Sequence, residues 1–132
     1  MLATKIRVIQ SQGIQTKLGL VIGGINFWWK FSQLFKHSLN LPTKFVEIEK
    51  LNKLDTDHWF ESRSPQPTLH AIAAEIKRIE RADTTYPCII ISGLGMVDGS
   101  HRMMKAHLSD RTKIKCVEFT ISDLMEIPHS TS

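Results

Sequence analysis

Met96-Val97-Asp98-Gly99-Ser100-His101-Arg102-Met103-Met104 is the stretch on which the fold turns. Two apolar residues run into a tight Asp-Gly turn, and Met103-Met104-Lys105-Ala106-His107-Leu108 then continues as a helix. Strand, glycine turn and helix start therefore follow one another without a linker. At such a helix start the first backbone N–H groups and the positive end of the helix dipole converge, which favours anions. His101 and Arg102 add donors in the same turn, and the planar fork of arginine suits a phosphate. The stretch points to a phosphate or nucleotide site.

Working upstream, Cys88-Ile89-Ile90-Ile91-Ser92 reads as a buried strand opened by Pro87, and Gly93-Leu94-Gly95 turns the chain. Thr68 is placed to cap a helix that begins after Pro67. On that helix Leu69, Ile72, Ala73, Ile76 and Ile79 share one face, expected to face the core. Glu75, Lys77, Arg78 and Arg81 are expected to face water. Asp57 to Pro67 has no periodicity, and Pro65 and Pro67 break regular structure. Polar turns run through Asn52-Lys53-Leu54-Asp55, after a short strand at Phe45-Val46-Glu47-Ile48. Downstream, Lys113-Ile114-Lys115-Cys116-Val117-Glu118-Phe119 reads as a last strand. No repeat or low-complexity tract is visible.

Residues 1–44 differ in character and are read as an N-terminal extension bounded by Asn40-Leu41-Pro42-Thr43, with 45–125 as the main domain and 126–132 as a tail. Strands are expected at Ile6–Ile9 and Leu18–Ile22, around a turn at Ser11-Gln12-Gly13. Phe27, Trp28, Phe31, Leu34, Phe35 and Leu39 recur at three- and four-residue steps, which predicts an amphipathic helix. Its apolar stripe either docks on the main domain or a partner, or rests on a membrane surface.

With 132 residues, 42% of them hydrophobic and 23% charged, the chain is long enough for one globular core. A net charge of +4 permits contact with nucleic acid, but the charges form no dense block. Lys105, Arg111, Lys113 and Lys115 are the tightest group, and solvated sheet edges often look the same. Cys88 and Cys116, the two cysteines, fall among aliphatic residues; two buried thiols or a bridge between neighbouring strands both fit. Neither zinc-ligand spacing nor a CxxC pair appears. The apolar run Leu18–Trp29 is shorter than the roughly 20 residues of a spanning helix, and no small-residue cleavage site follows it. No transmembrane segment and a cytoplasmic location are the expectation.

The order strand, proline-containing loop, helix, hairpin, Asp98-Gly99-Ser100-His101-Arg102, helix, strand resembles the ParB/sulfiredoxin family over residues 45 to about 125, three-fifths of the chain. That resemblance implies a small α+β domain, a mixed sheet with packed helices. In the family a glycine turn at a helix start, followed by basic residues, holds nucleotide phosphates. Partition proteins carry Gly-Glu-Arg-Arg there, sulfiredoxins Gly-Gly-Cys-His-Arg, and free serine kinases Asp-Gly-X-His-Arg; this chain is similar to the last two. The stretch Phe119-Thr120-Ile121-Ser122-Asp123-Leu124 also looks like the end of a sulfiredoxin domain. Ser100 stands where sulfiredoxins need a thiolate, so their cysteine chemistry is not expected. Partition proteins also follow this domain with a helix-turn-helix, and fewer than about 15 residues follow the last strand here, too few for one.

The resemblance and the residues together give a candidate site. Asp98 either holds Mg²⁺ or accepts a proton, or caps the helix. Gly99 serves the turn and leaves room for a phosphate. Ser100 donates a hydrogen bond at the helix start, His101 reaches a ligand or plays a catalytic part, and Arg102 pairs with phosphate or, failing that, with Glu61 or Asp98. Lys105, one turn on, reaches a phosphate or water. His101 and His107 stand about 240° apart on the helix, so they share no metal from one face. In the loop, Trp59 or Phe60 either stacks on a base or plugs the core. Kinases of the family imply an acid from this loop as general base, and Glu61 is the candidate. Thr68 resembles phosphate-touching groups of sulfiredoxins, although its cap role suffices. The implied function is nucleotide binding, ATP, ADP or CTP with Mg²⁺, with phosphotransferase or nucleotidase activity. The alternative is a non-enzymatic DNA-associated or protein-interaction module. Nuclease activity ranks third, for no paired-carboxylate metal site is evident.

Overall fold

The computed structural model describes residues 3–11, 14–51 and 68–132. It is an α+β fold: among these residues lie two four-stranded sheets and four α-helices. The chain divides into two compact units, residues 1–43, 89–98 and 117–132 in the first and residues 44–88 and 99–116 in the second. The expected turns at Gln12-Gly13 and Asn52–Asp55, and the loop from Asp57 to Pro67, lie outside the described residues.

The first unit opens with an antiparallel meander: β1 (Ala3–Ser11), β2 (Ile14–Ile22) and β3 (Ile25–Lys30). Register pairs Val8 with Leu18 and Ile6 with Leu20. Gly23 and Gly24 both take positive φ, 58° and 80°, which two-residue hairpin loops require, and Ile22 pairs with Ile25 across them. The glycine pair thus ends the amphipathic-helix reading of Phe27 and Trp28. They belong to β3, and the helix α1 begins only at Phe31 and runs to Ser38. Aromatic residues fit the pleated surface of a strand, and β2 supplies the hydrogen-bonding partner. Phe31 and Leu34 are buried, whereas Phe35 and Leu39, expected on the same stripe, are exposed.

The hairpin of β5 (Cys88–Ile91) and β6 (Gly95–Asp98) turns at Gly93 (φ 78°). With β4 (Thr43–Glu47) and β7 (Lys113–Phe119) it makes the second sheet, in the order β4-β7-β5-β6. The first unit's core joins Leu18, Leu20, Trp29, Leu34, Ile89, Val117 and Leu124. Trp29 is only 1% exposed, and its indole N–H is satisfied by the carbonyl of Leu124 at 2.9 Å. That carbonyl belongs to α4 (Ile121–Met125), whose start is fixed by a capping box. Thr120 Oγ1 accepts from the Asp123 amide and the Asp123 carboxylate accepts from the Thr120 amide. The two-residue strand β8 (Ser130–Thr131) lies along β3, giving the first sheet the order β1-β2-β3-β8.

In the second unit, β4 ends one residue before the expected strand does. Ile48–Leu51 form a 3₁₀ turn tied down by the Ile48 amide on the Thr112 carbonyl. The helices are α2 (Leu69–Arg81) and α3 (Ser100–Leu108). Helix α2 forms where its pattern predicts, but it faces the other way. Ala71 and Glu75 are its buried residues, while Leu69, Ile72 and Ile76 are 84%, 39% and 49% exposed. Small side chains at Ala71 on α2 and Ala106 on α3, both buried, suit a close helix packing. Among the described residues no helix is long and apolar enough to cross a membrane.

Candidate functional site

Strand β6 ends at half-buried Asp98, which pairs across the hairpin with Ile89. Gly99 then takes φ 112°, ψ 18° as the N-cap of α3 and is itself buried. Two constraints fix glycine here. The dihedral lies in the left-handed region, and a side-chain carbon would run into Cys88, whose Cβ would stand 2.8 Å away and its Sγ nearer still. The Cys88 thiol donates toward the Gly99 carbonyl at 3.5 Å. As a glycine N-cap, residue 99 supplies no side-chain acceptor to the first amides of α3. The first turn holds Ser100, His101 and Arg102 and no acid. Ser100 is 8% exposed; His101 and Arg102 are half-buried.

His101 is held from the side. Its Nε2 lies 2.5 Å from Glu75 Oε2, and the other carboxylate oxygen, Oε1, accepts from Arg78 Nη1 at 2.6 Å. The Glu75 side chain is 10% exposed against 25% for His101 and 34% for Arg78. A nearly buried carboxylate thus engages both oxygens and fixes the imidazole against α2. Glu75 was expected to face water, and no reading of the sequence places it beside His101. The signal that identifies it is the set of small residues Ala71, Ala74 and Ala82, which marks the same side of α2 as the one that packs.

The remaining candidates are spread out. Lys105 Nζ donates to the carbonyls of Glu80 and Ala82, 2.8 Å each, and so closes the C-terminal end of α2. Thr68 sits at the opposite end, where its hydroxyl accepts from the Ala71 amide at 3.1 Å. At 1.5 Å per residue these ends of α2 lie about 20 Å apart, so Thr68 and Lys105 do not meet one phosphate group. Glu61, Trp59 and Phe60 lie outside the described residues. No group of three or more His, Cys, Asp or Glu side chains among the described residues is placed to hold a metal ion. A Mg²⁺ at Asp98 would take most of its ligands from phosphate and water, as this ion commonly does.

Two further clusters are resolved. Besides Lys105, Arg111 Nη1 reaches Thr84 Oγ1 at 3.5 Å and Lys115 Nζ the Thr85 carbonyl at 3.0 Å. Three of the four cations in the densest basic group thus gather on the turn that follows α2. The cysteines are free thiols, both fully buried. A hydrogen bond with Cys88, together with burial, pushes the Cys116 thiol far above its ordinary range, so neither nucleophilic nor metal-binding chemistry is expected there. An open cleft of about 550 Å³ lies elsewhere in the second unit, between Glu47, Glu49, His107, Asp110 and Arg111. None of the candidate residues among the described ones lines it, and three carboxylates against one arginine and one histidine make it a poor place for an anion.

No protein-family model, curated protein or solved structure matches this chain.

Proposed function

We propose that the chain is a nucleotide-binding domain of ParB/sulfiredoxin type, with the phosphates seated on the first turn of α3. The observation that carries this reading is the start of that helix. Gly99 gives it no side-chain cap, and Ser100, His101 and Arg102 fill its first turn with donors and no acid. The succession β5, β6, α3 and β7 agrees with the element order read from the sequence and supports this reading. In a phosphotransferase or nucleotidase, Arg102 would balance charge that develops on the transferred group. His101, fixed by Glu75, would orient toward it. ATP, ADP or CTP with Mg²⁺ is the expected ligand, and Asp98 is the residue that would hold the Mg²⁺. Against the DNA-associated alternative stand Lys105, Arg111 and Lys115, whose side chains are engaged on the turn after α2.

The test is calorimetric titration with each Mg-nucleotide, alongside thermal shift. Binding raises the melting temperature, by about 2.7 kcal/mol of added stability at a hundredfold excess over Kd. Arg102→Ala is expected to remove most of that gain. Absence of heat with all three nucleotides, together with an Arg102→Ala protein that behaves like wild type, overturns the reading.

A further inference from the structure

The outward face of α2 is its apolar one. Leu69, Ile72, Ala73 and Ile76 fall at the spacing of a core-facing stripe, yet all four are exposed, Leu69 at 84%. Glu75 takes the inward position, where it pairs with His101 and Arg78, and the aliphatic residues lie at the surface. Scattered exposed leucines need no explanation, but an aligned stripe on one helix does.

The charges beside the stripe say what suits it. His70, Lys77 and Arg81 are all exposed and follow one another at seven- and four-residue steps, so they form a single line along one margin. With Glu75 turned inward, Glu80 is the one acid that α2 exposes. An apolar stripe with a cationic margin fits an amphipathic helix that carries aliphatic residues in its seam and carboxylates along its edge. A second copy of this chain would bring a second cationic margin to the same contact. A lipid surface would meet Glu80, exposed on the line of the stripe one turn beyond Ile76, and anionic headgroups would be repelled there, whereas a partner helix can end short of it.

We infer that the outer face of α2 is a docking surface for an acidic amphipathic helix of a partner protein. Leu69, Ile72 and Ile76 anchor it, and Lys77 and Arg81 select its charge. The experiment uses the full chain and two synthetic amphipathic peptides of equal length with the same leucine positions, one flanked by glutamates and the other by lysines. Fluorescence anisotropy is expected to show saturable binding of the glutamate peptide and at least about tenfold weaker binding of the lysine peptide. Ile76→Ser and the double variant Lys77→Glu, Arg81→Glu should each weaken the glutamate peptide by about tenfold or more without changing the melting temperature. Leu108→Ser, at a 68% exposed position on α3, should leave it unchanged. Equal binding of the two peptides, or no binding of either, overturns the inference. So does concentration-dependent self-association abolished by Ile76→Ser, which would name a second copy as the occupant. Capture by phosphatidylserine vesicles that is lost in the same variant would name a membrane instead and overturn it equally.

Discussion

The indole of Trp28 lies flat over Gly19, its cross-strand partner, so closely that a Cβ at residue 19 would stand 2.6 Å from Cζ3 and 2.8 Å from Cε3. Consecutive residues of a strand point to opposite faces, so Trp29 fills the core of the first unit while Trp28 covers the backbone of β2 on the other side. Gly19→Ala is therefore expected to cost about 1–3 kcal/mol by forcing the ring aside. Trp28→Ala destabilises too, by uncovering the strand. Combined, the two should cost less than their sum by at least about 0.5 kcal/mol, because they disrupt one contact. Urea unfolding of the three variants decides this, and strict additivity would show that the ring and the glycine are independent.

Glu75 and Leu69 should rank in the reverse of the order their residue types suggest. Glu75→Ala removes the acceptor for both His101 and Arg78 in a nearly buried setting, a loss of about 2–3 kcal/mol after allowing for the partly exposed arginine. Glu75→Gln, which keeps the shape and one acceptor, should lose about 1 kcal/mol. Leu69→Ala touches a side chain already in water and should stay within about 0.5 kcal/mol of wild type. Chemical denaturation at neutral pH gives all three values, and a larger cost at Leu69 would mean α2 packs by its other face.

Asp110 closes α3 in the left-handed conformation, φ 61°, with its amide on the His107 carbonyl and the Arg111 amide on the Ala106 carbonyl. This is the two-bond helix stop usually built on glycine, and a carboxylate sits there against the negative end of the dipole. Asp110→Gly should stabilise by about 0.5–1 kcal/mol, read as a higher melting temperature. A drop would indicate that the aspartate side chain contributes more than its backbone conformation costs.

Asp83 Oδ1 accepts from the Thr85 hydroxyl at 2.6 Å and the Thr85 amide at 3.0 Å, and the hydroxyl contact chiefly holds its carboxyl below the ordinary value of 3.8. A folded-state value below the unfolded one contributes stability that is complete above the unfolded value and disappears as pH falls through the folded one. The stability advantage of wild type over Asp83→Ala should therefore shrink between about pH 5 and pH 2. Unfolding free energies measured across that window test it; a constant difference would mean the turn does not depend on ionisation.

Local chemistry made much of this legible. The helix Ser100–Leu108 and the strand Lys113–Phe119 stand where turn residues and periodicity put them, and Thr68 caps α2 as its position suggests. Phe27 and Trp28 fit helical steps that continue through Phe31 and Leu34, so periodicity alone joins them to α1 although they belong to β3. The Gly23-Gly24 turn decides for the strand. The orientation of α2 was hidden for a different reason. Its pattern describes a helix with two unlike sides, and the side that turns inward carries Glu75, whose partner is an imidazole from α3, 26 residues away. Within the candidate site, Gly99 was recognisable as a turn residue, while its contact with Cys88 comes only from the packing. Glu61 and its loop lie outside the described residues, so the acid expected from that region stays with the proposal.

A single ammonium group, that of Lys105, fastens the last carbonyls of α2 to the middle of α3. Any change that masks this amine, an acyl group for instance, would release both carbonyls and remove a cation from the end of a helix dipole in one step. The frame that holds Glu75 against His101 is thereby answerable to a residue a full turn beyond the start of α3.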